Sequence, residues 1–288
     1  MWVVYALLAA VASAASRTFI KSAAPKAGDH SIVFARSGVA AFPAWVCLAV
    51  VGVPAIQPGF YPAILGACIV DAAAIICMSR SLRSSGMGDA VPLLAFTPVF
   101  LLLTGRLIVG EVPQPAGLAG VLVIVVGSYL LRLRRWDDSL LAPFRLLWES
   151  RGARYMLATA VLFSLAAPLF KRAILSSGPV LTMSVSLPLS CVLIAAYHLL
   201  TGKPGRDLLP TAENWKVLVA LGGSVFFIAL FANLAFATGL VSYVISLKRL
   251  SILLSIVIGA AFFGEGRLVR HLLAGAVMVA GAALISLS

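Results

Sequence analysis

The sequence is poor in charge and poorest in acid. Only 11% of its 288 residues are charged, and Asp and Glu together number 10. A soluble domain carries about 25% charged residues. Histidine is nearly missing: His30, His198 and His271 are dispersed at the edges of expected loops. No HExxH, GxSxG or GxxxxGK[ST] pattern occurs, so metalloprotease, hydrolase-elbow and P-loop chemistry have no carrier. The four cysteines, Cys47, Cys68, Cys77 and Cys191, form no CxxC pair, which excludes a zinc-knuckle or disulfide framework. They read as small buried hydrophobes. No basic residue precedes the apolar stretch Met1 to Ile20, so no cleavable signal peptide is expected. No catalytic constellation, metal or cofactor is expected.

What is abundant is apolar surface. The chain is 61% hydrophobic with a mean hydropathy of +1.06. A soluble globule of this size could not hide that much from water. A soluble enzyme, a disordered chain and a disulfide scaffold are excluded, and an integral membrane protein of transmembrane helices remains. The net charge of +12 and pI near 10.2 would indicate nucleic acid in a soluble protein. Here no basic run is interleaved with aromatics outside the apolar segments, so nucleic acid is rejected as a partner. The cations fit cytoplasmic loops instead.

A span needs about 20 mostly apolar residues. Ten such segments follow one another, at 2–20, 31–53, 61–80, 90–109, 115–133, 154–174, 178–200, 215–236, 240–263 and 268–287. The breaks carry turn chemistry, as in Pro25-Lys26-Ala27-Gly28-Asp29 and Gly202-Lys203-Pro204-Gly205. The runs are continuous rather than alternating, which excludes barrel strands. The expected organisation is a first five-helix repeat over 1–135, a cationic connecting loop over 136–153 and a second five-helix repeat over 154–288.

The two halves echo each other. Tyr5-Ala-Leu-Leu-Ala-Ala-Val matches Tyr155-Met-Leu-Ala-Thr-Ala-Val, an offset of 150 that sets Lys21 on Lys171. Gly110-Glu111 followed by Ala116-Gly117-Leu-Ala-Gly120 matches Gly264-Glu265 followed by Leu273-Ala-Gly275, an offset of 154. Five is an odd number of spans, so the second copy enters the bilayer inverted. The expected fold is an all-α membrane protein of ten transmembrane helices in two inverted five-helix repeats. That symmetry characterises secondary transporters, with a substrate site near the midplane.

Cations near the loops after odd-numbered spans outnumber the rest by 17 to 5. The positive-inside rule then puts the odd loops in the cytoplasm and both termini outside a cell (inner) membrane.

The ten spans and the Gly-Glu ending the fourth span of each repeat resemble the drug/metabolite transporter superfamily, in its EamA-type ten-helix branch. The fourth span reads Pro92-Leu-Leu-Ala-Phe-Thr-Pro98 through Gly110-Glu111, and its mate reads Tyr243-Val-Ile-Ser-Leu-Lys248-Arg249 through Gly264-Glu265. The resemblance implies transport and leaves the substrate open. It also implies termini in the cytoplasm, opposite to the charge count. In the ninth span, Lys248-Arg249 is similar to the Lys-Arg pair with which triose-phosphate/phosphate translocators grip phosphate. Those translocators add a Lys four residues before the fourth-span Pro, where this chain has Leu94.

Lys248 and Arg249 lie about nine residues into the ninth span. A charge at bilayer depth costs about 2.5–3.5 kcal/mol on insertion scales, so it faces water or a partner. Lys offers a compact charge and Arg a planar fork suited to carboxylate or phosphate. Snorkelling to the interface is the bland reading of the same pair. Lys171 and Arg172 close the sixth span after Pro168, and Lys171 is a candidate supporting cation. Tyr243 and Asn233 are candidate hydrogen-bonding contacts, with helix packing as their alternative. Asp71 is the only acid in the middle of a span. It either balances an intramembrane cation such as Arg36 or carries a coupling proton. Glu111 and Glu265 read as structural caps. Trp45, Trp136, Trp148 and Trp215 read as interfacial belts.

These residues imply a secondary transporter of a small anionic metabolite, phosphorylated or carboxylated, working by alternating access and not an enzyme. The alternatives are a proton-coupled exporter of amino acids or amphipathic drugs, and a flippase for a lipid-linked phosphate. The partners are a small-molecule substrate and membrane lipids, with a homodimer open. The two modes separate at Asp71. Transport measured across pH should be abolished by Asp71→Asn in a proton-coupled exporter and only reduced in an anion exchanger.

Overall fold

Inside hydrocarbon, each backbone N–H must find a carbonyl within its own segment or its protein neighbours. Long apolar runs of Ala, Leu, Val and Ile meet that demand as helices. The structure, a computed structural model, describes residues 1–23, 29–84, 91–132, 150–202, 215–254 and 268–288. Among them stand ten α-helices and no strand. These are α1 (Trp2–Ala23), α2 (Asp29–Val51), α3 (Phe60–Ser84), α4 (Thr97–Val109), α5 (Pro115–Arg132), α6 (Arg151–Ser177), α7 (Pro179–Leu200), α8 (Trp215–Thr238), α9 (Val241–Lys248) and α10 (Leu268–Ser286). Every expected span has its helix. The connecting residues 136–149, Lys26, Glu265 and the side chains of Arg17, Lys21, His30 and His271 lie outside the described residues.

Four of the helical stretches are long and apolar enough to cross a membrane: Phe60–Met78, Arg151–Ser177, Pro179–Leu200 and Trp215–Thr238. Five shorter apolar stretches accompany them, in α1, α2, α4 with its lead-in, α5 and α10. Large apolar side chains are also turned outward, such as Leu107 at 73% and Val192 at 62% exposure. In water each would lose about 25 cal/mol for every Å² left wet. In lipid they are at home. Trp45 and Trp215 are exposed at 59% and 56%.

Two spans depart from a plain helix. The fourth opens as a 3-10 segment, Val91–Phe96, before α4. Pro98 has no N–H to give the Leu94 carbonyl, so an α-helical bond is lost there. The Thr97 hydroxyl donates to that carbonyl instead, at 2.8 Å. The ninth span, expected as one run over 240–263, has a break: α9 ends at Lys248 and Arg249 forms its cap. A helical turn resumes over 250–254. Pro168 inside α6 likewise frees the Ser164 carbonyl, and the Thr104 hydroxyl of α4 donates to it at 2.6 Å.

The helices form two compact units that do not follow the two sequence halves. Unit 1 is Met1–Ala72 with Phe170–Gly239, and unit 2 is Ala73–Leu169 with Leu240–Ser288. Both α3 and α6 therefore contribute one end to each unit. In unit 1, α1 runs antiparallel to α8, with Trp2 against Gly239 and Phe19 against Leu218 and Leu221. Helix α2 packs on α7 and α8 through Ala40, Ala44, Met183, Leu187 and Phe226. The Ser184 hydroxyl ties α7 to the Ala44 carbonyl at 2.8 Å. Helices α6 and α7 meet at Gly178, whose φ of 84° and ψ of 161° suit only glycine, and Pro179 opens α7.

In unit 2, α3 packs on α6 through Met78, Ala153 and Met156. The Ser81 hydroxyl donates to the Gly152 carbonyl at 2.6 Å. Helices α5 and α10 cross antiparallel at a pair of glycines. A Cβ on Gly120 would stand 2.7 Å from the Gly281 carbonyl oxygen, and one on Gly281 would stand 2.8 Å from that of Gly120. Small residues let the backbones approach this closely. Gly120→Ala should therefore lower stability by about 1–3 kcal/mol through overpacking. Gly223→Ala, which meets nothing within 4 Å, should leave the unfolding temperature in detergent unchanged. Equal effects at the two positions would contradict the crossing as a constraint.

Candidate functional site

The Lys-Arg doublet sits at the end of the shortest α-helix described. α9 is 8 residues long and Lys248 is its last residue. Arg249 keeps helical angles, φ −63° and ψ −22°. Its N–H is shared between the Ser246 carbonyl at 3.0 Å and the Ile245 carbonyl at 3.2 Å. Ile252 N–H then reaches back three residues to the Arg249 carbonyl at 2.9 Å. The helix thus tightens at the doublet. Both side chains are half-buried. Ser246, two residues earlier, is fully buried, and its hydroxyl has no hydrogen-bond partner.

The start of α9 is fixed by a residue far away in sequence. Leu240 at ψ 139° separates α8 from α9 and offers no side-chain cap. The first N–H groups of a helix have no partner of their own. Glu111 supplies one: its Oε2 accepts from Val241 N–H at 2.8 Å. Glu111 is itself buried, at 8% exposure. It reaches this position because Gly110, at φ 81°, ends α4 in a left-handed turn. Gly110 N–H returns to the Arg106 carbonyl and Glu111 N–H to that of Gly105. The Gly-Glu pair is thus a helix stop followed by a cap for another helix.

Tyr243 points from α9 to α5. Its hydroxyl accepts from Gln114 N–H at 3.0 Å, at the start of α5. The ring is buried at 4%, and the hydroxyl occupies the space a side chain on Gly117 would need. Lys248, Arg249 and Tyr243 are therefore brought together on one element of unit 2. Tyr243 is engaged with backbone there.

The other candidate residues belong to unit 1. The Lys171 ammonium donates to the Gly239 carbonyl at 2.8 Å, and Lys171 is 7% exposed. Asn233, in α8, donates to the Pro179 carbonyl at 3.1 Å, next to the glycine turn that opens α7. Arg36 of α2 and Asp71 of α3 lie near enough for their charges to act on each other. The Arg36 Nε is buried without a hydrogen-bond partner. His198, expected at a loop edge, is in the last turn of α7 and 2% exposed. Among the described residues no group of three or more His, Cys, Asp or Glu could hold a metal.

Sequence reading missed two roles. Thr104 shows only as a polar residue in an apolar run, although Pro168 signals that a carbonyl four residues before it needs a donor. Glu111 was legible as a cap, but not as the cap of α9. Chemically, the α9 arrangement offers a cation pair of two different shapes at a helix interruption. Such a pair suits carboxylate or phosphate oxygens.

Comparison with known proteins bears on the fold. Residues 1–133 match the EamA-like transporter family. No curated protein matches the sequence. A crystal structure of a protein superposes with a TM-score of 0.82 at 19% sequence identity, covering 99% of this chain and 96% of that one. At that identity the likeness establishes the fold. Tyr243→Phe removes the hydroxyl that Gln114 N–H requires, so it should lower stability by about 0.5–1.5 kcal/mol. Thermal unfolding in detergent reads this directly, and an unchanged midpoint would show that the bond contributes nothing.

Proposed function

We propose, from the match of residues 1–133 to the EamA-like transporter family and from helices long and apolar enough to cross a membrane, that the chain is a multi-pass membrane transporter that carries a small anionic metabolite, phosphorylated or carboxylated, by alternating access. The observation that carries this reading is the interruption of α9 at Lys248–Arg249. Interrupted helices in transporters mark the places where ions and charged substrates are held. Two cations inside an otherwise apolar span are retained against their insertion cost when a negative cargo or water meets them. Arg249 supplies the planar fork and Lys248 the compact charge. Lys171, Tyr243 and Asn233 act through the backbone groups they hold. Asp71 balances Arg36, which favours exchange of anions over proton coupling.

The repeats expected at 1–135 and 154–288 have support in the pairing of helices. Helix α1 lies against α8 in unit 1, and the corresponding pair, α6 against α3, lies in unit 2. In this proposal the two copies are inverted and the protein rests in the inner cell membrane with both termini outside. Its partners are the cargo and membrane lipids, and it performs no catalysis.

The test is uptake or exchange in proteoliposomes with phosphorylated metabolites and organic acids. Lys248→Ala and Arg249→Ala should each weaken anion transport about tenfold or more, the size of a lost charge-assisted hydrogen bond. Unchanged transport of every anionic substrate in both variants would remove the site.

A further inference from the structure

The chain passes between the two units at three places, at 72/73 inside α3, at 169/170 inside α6, and at 239/240. The third lies outside any helix, between α8 and α9. Its backbone cannot satisfy itself. Leu240 is extended, at ψ 139°, so the helical ladder is cut. The Gly239 carbonyl loses its acceptor role toward Tyr243 N–H, and Val241 N–H loses its own carbonyl. In a membrane both groups need protein partners.

Each group is met by a buried charge of the matching sign. Lys171, within unit 1, donates to the Gly239 carbonyl at 2.8 Å. Glu111, within unit 2, accepts from Val241 N–H at 2.8 Å. The signs also suit the helix ends: a cation at the C-terminal end of α8 and an anion at the N-terminal end of α9. Gly239 has no room for a side chain, because a Cβ would stand 2.9 Å from the Trp2 ring. The link is thus held by one charged grip on each side of Leu240.

We propose that Glu111 and Lys171 are paired positioning residues: they clamp the Gly239–Val241 link, fix where α9 begins, and so set where Lys248 and Arg249 stand seven and eight residues later. Neither touches the cargo. The inference rests on the anion-site reading for its consequence in transport, while the clamp itself stands on the two hydrogen bonds alone. It also gives the Gly110-Glu111 pair a physical task, since the left-handed glycine delivers the carboxylate to a helix 130 residues away.

The experiment is hydrogen–deuterium exchange of the full chain in lipid nanodiscs, read over peptides covering 239–248, beside anion transport by the same variants. Lys171→Met and Glu111→Ala should each speed exchange in that segment about tenfold, the loss of one charge-assisted bond opening it locally. Glu111→Gln keeps an acceptor oxygen and should fall between wild type and Glu111→Ala. It also serves as the readable variant if Glu111→Ala does not fold. Exchange over 239–248 unchanged in Lys171→Met, or in both Glu111 variants, overturns the clamp. Wild-type protein that transports no anion, with exchange rising as expected, overturns the anion site and leaves the clamp standing. A raised KM in Lys171→Met with unchanged exchange makes Lys171 a cargo ligand and overturns its positioning role.

Discussion

A polar backbone group in hydrocarbon has no water to fall back on. Where these helices run unbroken the ladder settles the matter. At several interruptions a particular side chain meets the freed group. Thr97 covers the carbonyl that Pro98 abandons. Thr104 covers the one that Pro168 abandons. Tyr243 meets the start of α5, Glu111 the start of α9, and Lys171 the end of α8. The positions of the helices relative to their neighbours within each unit follow from these obligations as much as from apolar packing.

The constraint also explains why so few polar residues are buried, and where. Most buried hydroxyls bond to a carbonyl, either one turn back in their own helix, as Ser13 and Thr182 do, or across to a neighbour, as Ser81 and Ser184 do. The buried hydroxyls of Ser177 and Ser246 have no partner, and Ser246 is fully buried one turn before Arg249. An unsatisfied polar atom in a low-dielectric interior is costly, and it coincides with the interruption of α9. At Ser246 that cost falls on the element that ends in Lys248, with Arg249 at its cap.

Close helix approach supplies the rest of the stability. Lipid tails are as apolar as leucine, so apolar area gives little preference for protein over bilayer. The gain must come from dense contact, and the glycines at 120, 127, 275 and 281 bring α5 and α10, and the helical turn after Arg249, into that contact. In unit 1 the same role falls to Gly222 beneath Val39 and Gly239 beneath Trp2.

Composition and run length by themselves determined a helical membrane protein, the number of spans and nearly all their ends, because the bilayer's thickness and its lack of hydrogen-bonding partners leave a chain almost no other choice. The charged residues inside the spans, Arg36, Asp71, Lys171, Lys248 and Arg249, were visible for the same reason: each stands against the cost of its surroundings. The sequence also paired Arg36 with Asp71, as candidates for mutual balance. What it could not contain was the identity of partners distant along the chain. That Lys171 would meet Gly239, that Glu111 would cap α9, and that Tyr243 would lie over Gly117 were decided by tertiary structure alone. A hydrogen bond between residues 68 or 130 positions apart leaves no periodicity to read. The compact units were decided there too, since α3 and α6 are long enough to serve one unit at one end and the other unit at the other.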